Sequence, residues 1–310
     1  MRTRIKVVKG RQYYYLEESI RLDKPVIYSV FLGKRIPARK ELDAKQEELL
    51  GKMYGSLLSG AERVYLSREQ LIEAEKLRRR YVQKVKKLGR VARDEKEEVD
   101  AVNFVYTTLT TEGVPITKAD ASLAYKFDRK NVKSLRDENL RVALDMIRGL
   151  RFVKESKKGL TLDFLEKLHG IIMAQYGGKS PGKFRSKQAY IYLKSYQRAE
   201  EIGFRPPAPE TIPAKLRELV EWYSANEEKL NAIELSAFLH LKFYQIHPFE
   251  DGNKRVSRLL LNKALFDKGY PLLNISQDSQ AYFDALIKAV ERKDEKAFVE
   301  FVYQQFLKQA

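Results

Sequence analysis

The chain has 310 residues, 44% of them hydrophobic, enough for one large domain with an appendage and a buried core. It contains no cysteine, which excludes disulfides, thiolate metal sites and a cysteine nucleophile, and no apolar run approaches the ~20 residues of a membrane helix. The net charge of +17 favours polyanionic partners without separating a nucleoside triphosphate from a nucleic acid or an acidic protein. With no apolar signal core behind the basic first residues, the expected location is cytoplasmic.

Residues 12–33 are rich in aromatic and β-branched side chains on either side of "LDKP" and read as a small β-hairpin. Residues 1–40 hold eleven basic side chains against three acidic ones, a net +8, so almost half of the excess charge sits at this end. From about residue 41 the apolar spacing turns helical, in 42–60 and again in 67–89. The charge run "ARDEKEEVD" then suits a segment boundary. These signals divide the chain into a basic hairpin segment (1–40), a helical extension (41–95) and a mainly α core (96–310) that opens on a helix of about 99–112. Within the core, helical periodicity runs through 117–127, 132–150, 162–176, 211–229 and 231–246. The exception is 183–209, where "AYIYL" alternates as a strand does and two prolines end regular structure.

The stretch "QIHPFEDGNKRVSRLL", 245–260, holds the chemistry. His247 ends a helix that Pro248 cannot continue, so the imidazole is displayed at a loop. Phe249 is the residue that could anchor the loop in the core, and "DGN" is turn chemistry, with glycine supplying positive φ. The loop runs into the start of a new helix, where free amides and the positive dipole end favour phosphate. Arg255 and Arg258 lie three apart on that helix and can flank one polyphosphate. Asp251 is the nearest carboxylate for a magnesium ion, which takes one or two carboxylates with phosphates and waters. An imidazole is the natural group to accept a proton from a hydroxyl.

"HPFEDGNKRVSR" resembles the signature of Fic-domain proteins. The resemblance implies a Fic-type helical bundle with a small β-hairpin flap that transfers AMP from ATP to a hydroxyl side chain of a target protein, with Mg2+ required. Carried over by position, it makes His247 the general base, Phe249 the loop anchor and Asp251 the metal ligand. Gly252, Asn253, Lys254, Arg255 and Arg258 become the phosphate-binding set. "GKFRSKQAYIYL" with "PPAP" resembles the flap that holds the target backbone, and "AYFDAL" places Tyr282 and Phe283 near the adenine. "TLTTEG", 108–113, resembles the family's inhibitory motif, with Thr108, Glu112 and Gly113 at its specified positions. It implies that Glu112 pairs with Arg258 and competes with the γ-phosphate. A carboxylate beside a helix stop at Gly113 faces the negative dipole end and wants a cationic partner.

Two other readings stand beside this one. Lys254 departs from the glycine common in AMP-transferring relatives, while Doc-type toxins, which transfer phosphate, carry lysine there; this favours a phosphotransferase or another nucleotide-derived transfer. The second is a nucleic-acid binder that works through its basic N-terminus, with a dormant core. A homodimer is among the assemblies left open. His240 and His169 read as hydrogen-bonded core histidines, the latter near a helix end where a cation is welcome.

Overall fold

The computed structural model describes residues 1–21, 25–60, 62–130, 137–156, 159–194, 201–275 and 279–309. The "LDKP" turn falls largely on 22–24, outside the described residues. Two compact units emerge, Met1–Ala61 with Ser67–Leu77, and Glu62–Leu66 with Arg78–Ala310.

The first unit opens on three antiparallel strands, β1 (Arg2–Val8), β2 (Arg11–Arg21) and β3 (Pro25–Gly33), paired in that order. The expected hairpin is therefore two strands of a three-stranded sheet. The extra strand is signalled weakly because its alternation is of charge rather than apolarity. Lys9 and Gly10, both at positive φ (50° and 71°), make the two-residue turn from β1 to β2. Helix α1 (Arg39–Leu57) covers one sheet face, where Leu16, Val30, Leu32 and Leu49 form a core flanked by Tyr14, Tyr28 and Leu42. Helix α2 (Arg68–Lys87) gives its first part to this unit.

The second unit is helical apart from one small hairpin. It contains α3 (Arg90–Thr111), α4 (Lys118–Arg129), α5 (Glu138–Glu155) and α6 (Leu162–Ile172), then strands β4 (Ile191–Lys194) and β5 (Glu201–Phe204), then α7 (Ile212–Asn226), α8 (Ala232–Ile246), α9 (Asn253–Asp267), α10 (Ser279–Glu291) and α11 (Glu295–Gln309). β4 and β5 pair antiparallel, and residues 195–200 between them lie outside the described set. The boundary expected at 95–96 falls inside α3. The charge run there is helical, and its acids pair across to the next two helices: Asp94 with Arg129 (3.5 Å), Glu97 with Lys154 (2.6 Å) and Glu98 with Lys126 (3.7 Å).

α8 is apolar on nearly every side, as "AIELSAFLHLKFYQI" requires of a helix enclosed by others, and it packs against α7, α9, α10 and α11. Asn231 caps its start by accepting from the Ile233 amide (2.8 Å). In its first turn the fully buried Glu234 accepts from the backbone N–H groups of Tyr65 and Leu66 (both 2.8 Å) and, at 3.2 Å, of Val64. An acid in the first turn also complements the dipole.

Glu234→Leu keeps the volume but leaves three backbone donors without an acceptor. At about 1–3 kcal/mol for each such group, the expected loss is several kcal/mol. A urea midpoint equal to wild type would show that this contact carries no stability.

Candidate active site

α8 stops at Ile246 and hands the chain to His247, a non-glycine residue in the left-handed region (φ 48°, ψ 58°) whose amide still bonds back to Phe243 (3.1 Å). Such a conformation costs on the order of 1 kcal/mol and persists where neighbours determine it. Arg185 is the neighbour that does so. Its Nε donates to the His247 carbonyl (2.9 Å), its own amide donates to the Pro248 carbonyl (2.9 Å), and Nη2 and Nη1 donate to the carbonyls of Pro207 (2.6 Å) and Lys187 (3.0 Å). One buried guanidinium thus joins the His247 turn to both ends of the β4–β5 hairpin segment.

The loop that follows is closed by Asn253. Its Oδ1 accepts from the Phe249 amide (3.0 Å) and its Nδ2 donates to the Phe249 carbonyl (2.8 Å). Phe249 itself is fully buried, stacked on the His169 imidazole at 3.7 Å and 3°, with Phe184 and Phe243 around it. His169 holds the loop from the other side. The Gly182 amide donates to Nδ1 (2.8 Å), so Nε2 carries the proton and donates to the Asp251 carbonyl (3.1 Å). Gly252 takes φ 73°, and a Cβ there would lie 2.8 Å from Met173 Sδ, so both backbone and space demand glycine. The first intrahelical bond of α9 runs from the Val256 amide to the Gly252 carbonyl (2.9 Å), which leaves the amides of Asn253, Lys254 and Arg255 ahead of the ladder.

The cations line up behind this turn. Arg255 is 3% exposed, touches Asp251 Oδ1 with Nη2 at 3.4 Å and lies 5.3 Å over the Tyr176 ring. Arg258 is 2% exposed, lies 4.6 Å over the Tyr282 ring and approaches the Thr107 carbonyl at 3.5 Å. Among the described residues, Nε and Nη1 of Arg255 and Nε and Nη2 of Arg258 have no hydrogen-bond partner. Buried guanidinium donors without acceptors are costly and call for an anion.

Glu112 meets Lys254 (3.2 Å), not Arg258, so the expected ion pair is corrected by one helical turn. The reason is register. α3 and α9 lie so that Thr107 faces Arg258, and Glu112, more than a turn further along α3, meets the residue a turn earlier on α9. Glu112 caps α3, Gly113 follows at φ 80°, and the Val114 and Gly113 amides bond back to Leu109 and Thr110 in a Schellman arrangement (both 3.0 Å). Thr108 is buried and its hydroxyl has no partner among the described residues.

Of the aromatic pair, Tyr282 has no exposed surface. Its hydroxyl lies 3.1 Å from His240 Nε2 and its ring supports Arg258, so it is a floor for the guanidinium rather than a surface for a base. Phe283 is half-buried with the Lys254 ammonium 5.5 Å above it. His240 is a core histidine with a tyrosine partner, and among the described residues no group of three or more His, Asp or Glu side chains converges on a metal position. Arg185 and the loop-holding part of His169 were not foreseen, because Arg185 is one of several basic residues in a polar stretch and His169 is a polar residue among apolar ones, and neither pattern names a partner.

Burial depresses the imidazole of His247 to about 4, and the nearby cations Arg185 and Lys254 act in the same sense. Nδ1 donates to the Tyr244 carbonyl (3.3 Å), so Nε2 holds the free lone pair. Burial likewise takes His169 to about 4 and His240 to about 3, so both are neutral hydrogen-bonding groups in the core. It also pushes Tyr282 up to about 12.

Residues 159–265 match the Fic/DOC family. Among curated proteins, a protein adenylyltransferase Fic of Nematostella vectensis is 30% identical over 176 residues, 55% of this chain and 38% of that protein. Protein adenylyltransferase fic-1 of Caenorhabditis briggsae is 28% identical over 178 residues, 55% of this chain and 32% of that protein. The chain thus covers less than two fifths of the length of these relatives. Among solved structures, a Fic domain containing signaling protein from Bacteroides thetaiotaomicron superposes with a TM-score of 0.64 at 24% identity, covering 77% of this chain and 93% of that one. Fic-1 from C. elegans gives 0.60 at 20% identity, covering 87% and 75%. These likenesses establish the fold.

Two outcomes test the site. All three histidines of the chain are buried and neutral, whereas in the unfolded chain they gain protons below about pH 6.5. The unfolded state then binds more protons, so stability falls as the pH drops from 7 to 5.5, by on the order of 1 kcal/mol per histidine. Asp128 and Asp145, whose carboxyls burial pushes up, act oppositely nearer the carboxylate range. Urea midpoints that do not fall over this interval would contradict the neutral assignment. In Arg185→Ala, hydrogen exchange is expected to quicken across 247–253 while α8 and α9 stay protected; unaltered protection of the loop would remove Arg185 from its support. The match of residues 159–265 to the Fic/DOC family model, the superposition and the signature at 247–258 agree: this stretch is similar to Fic/DOC proteins in sequence, and the chain has the fold of Fic-domain structures.

Proposed function

We propose that this chain transfers AMP from ATP to a hydroxyl side chain of a target protein and that Glu112 restrains the transfer. The observation that carries the reading is the set of buried guanidinium donors of Arg255 and Arg258 without acceptors, beside a displayed imidazole whose Nε2 is unprotonated. The curated relatives, named as protein adenylyltransferases, agree with it.

His247 Nε2 accepts the proton of the incoming hydroxyl, whose oxygen attacks the α-phosphorus, and the bond from that phosphorus to the β-phosphate bridging oxygen breaks to release pyrophosphate. Arg255, Arg258 and the leading amides of α9 hold the phosphates and balance the charge that gathers on the leaving group. A magnesium ion suits the donors present: Asp251 is a single carboxylate whose Oδ1 accepts from the Gly252 amide (2.6 Å) and lies 3.4 Å from Arg255, and magnesium completes its shell with phosphates and waters. When bound it would neutralise phosphate charge during transfer. The hairpin β4–β5, tied to the His247 turn through Arg185, is placed to present the target backbone as an added strand.

Glu112 restrains this site in two ways. It occupies the Lys254 ammonium, and it sets a negative charge next to Tyr282 and Tyr244, whose hydroxyls it helps to push up in pKa, where a triphosphate would meet Arg258. Lys254 also keeps phosphate transfer as the second reading, since an ammonium on the first turn of α9 can bind the terminal phosphate itself.

The test is intact-mass analysis after incubation with ATP and Mg2+. Glu112→Gly is expected to gain AMP on itself at least ~10-fold faster than wild type, the scale of one charge-assisted contact. His247→Ala and the double variant should gain none. No difference between Glu112→Gly and wild type would reject the restraint, and undiminished transfer by His247→Ala would reject the mechanism. A gain of phosphate in place of AMP would decide for the second reading.

A further inference from the structure

The second face of the N-terminal sheet, opposite α1, is uncovered among the described residues. The strand register puts Arg4 and Lys6 of β1, Tyr13, Tyr15 and Glu17 of β2, and Phe31 of β3 on this one face, since Arg4 pairs with Tyr15, Lys6 with Tyr13, and Phe31 with Tyr15. The contacts agree with the register. Phe31 lies 5.3 Å from Tyr15 and 6.0 Å from Tyr13 between ring centroids, tilted at 56° and 47°, so no ring stacks flat on another. The Lys6 ammonium lies 4.4 Å over the Tyr15 ring.

Arg4, Lys6 and Phe31 face water, and Tyr13 and Tyr15 are half-buried. Phe31 is 49% exposed, and every residue of β1 is exposed. Glu17, buried beneath, holds Lys6 at 3.3 Å and Arg4 at 3.7 Å against the rings, yet one carboxylate for two cations leaves the face positive. It belongs to the segment 1–40 that carries the net +8.

We propose that this face binds single-stranded nucleic acid, with bases stacking on Tyr13, Tyr15 and Phe31 and phosphates meeting Arg4 and Lys6. The choice among anionic partners follows from the rings. An acidic peptide or a lipid headgroup would engage the cations alone and leave the accessible surface of the three rings without a partner. Unpaired bases have π faces that stack on such rings without regard to sequence, and a strand of them carries one phosphate per base. Duplex bases are already stacked on one another and offer the rings nothing. This surface is independent of the reading given to the His247 site.

The test is fluorescence anisotropy on the full chain with labelled oligo(dT) and oligo(U) of about 15 nucleotides, within the span of a single stacking platform. Saturable binding is expected. Tyr15→Leu and Phe31→Leu, which keep apolar bulk but remove the ring, should each weaken it about 10-fold, while Tyr15→Phe retains it. Arg4→Gln with Lys6→Gln should flatten the slope of log K against log salt by about 1.4, at ~0.7 per lost phosphate contact. Circular dichroism of each variant separates lost binding from lost folding. The proposal is overturned if neither oligonucleotide binds, if folded Leu variants bind as wild type does, or if only heparin or phosphatidylserine vesicles are retained.

Discussion

The pair of hydrogen bonds between the Asn253 carboxamide and the backbone of Phe249 closes the loop between α8 and α9 into a rigid ring. Everything chemical depends on that closure. It sets the two helices at a fixed turn, it drives Phe249 into the core against His169, and it leaves His247 at one rim and the leading amides of α9 at the other. A carboxamide can do this because it offers a donor and an acceptor in one plane, where a carboxylate would offer acceptors only.

Rigidity at this loop is obtained with neutral groups, and charge is reserved for the ligand side. His169 is kept neutral so that one nitrogen can accept from Gly182 and the other donate to Asp251. The cations Arg255 and Arg258 are supported by aromatic faces, Tyr176 and Tyr282, which attract a guanidinium without using its N–H groups. Their donors therefore stay open. Arg185 is the opposite case: it spends its donors on main-chain carbonyls and so converts one cation into a brace between the His247 turn and the hairpin.

Glu112 shows how register decides which cation a carboxylate meets. Both Lys254 and Arg258 project from the same stripe of α9, four residues and about one turn apart. A motif match alone cannot separate them, since spacing along α9 is the same for either partner. The way α3 packs, with Thr107 at Arg258, settles the pairing on Lys254. The consequence is that Arg258 keeps its open donors even with the carboxylate in place.

Local chemistry was legible in the residues themselves. Helical periodicity located α8 and α9, Pro248 required α8 to stop, and Gly252 announced the tight turn, because each of these follows from the backbone freedom of a residue and its immediate neighbours. In the structure Thr117 and Asp120 cap α4 reciprocally, each side chain accepting from the other's amide, a contact between residues three apart. Contacts between distant segments were not legible. The ion pairs of "ARDEKEEVD" with the next two helices, the brace at Arg185, the stack of His169 on Phe249 and the partner of Glu112 all join residues far apart in the chain, and their energies depend on burial and register that exist only after packing. Residue order settled which atoms could act; the tertiary structure decided which of them meet.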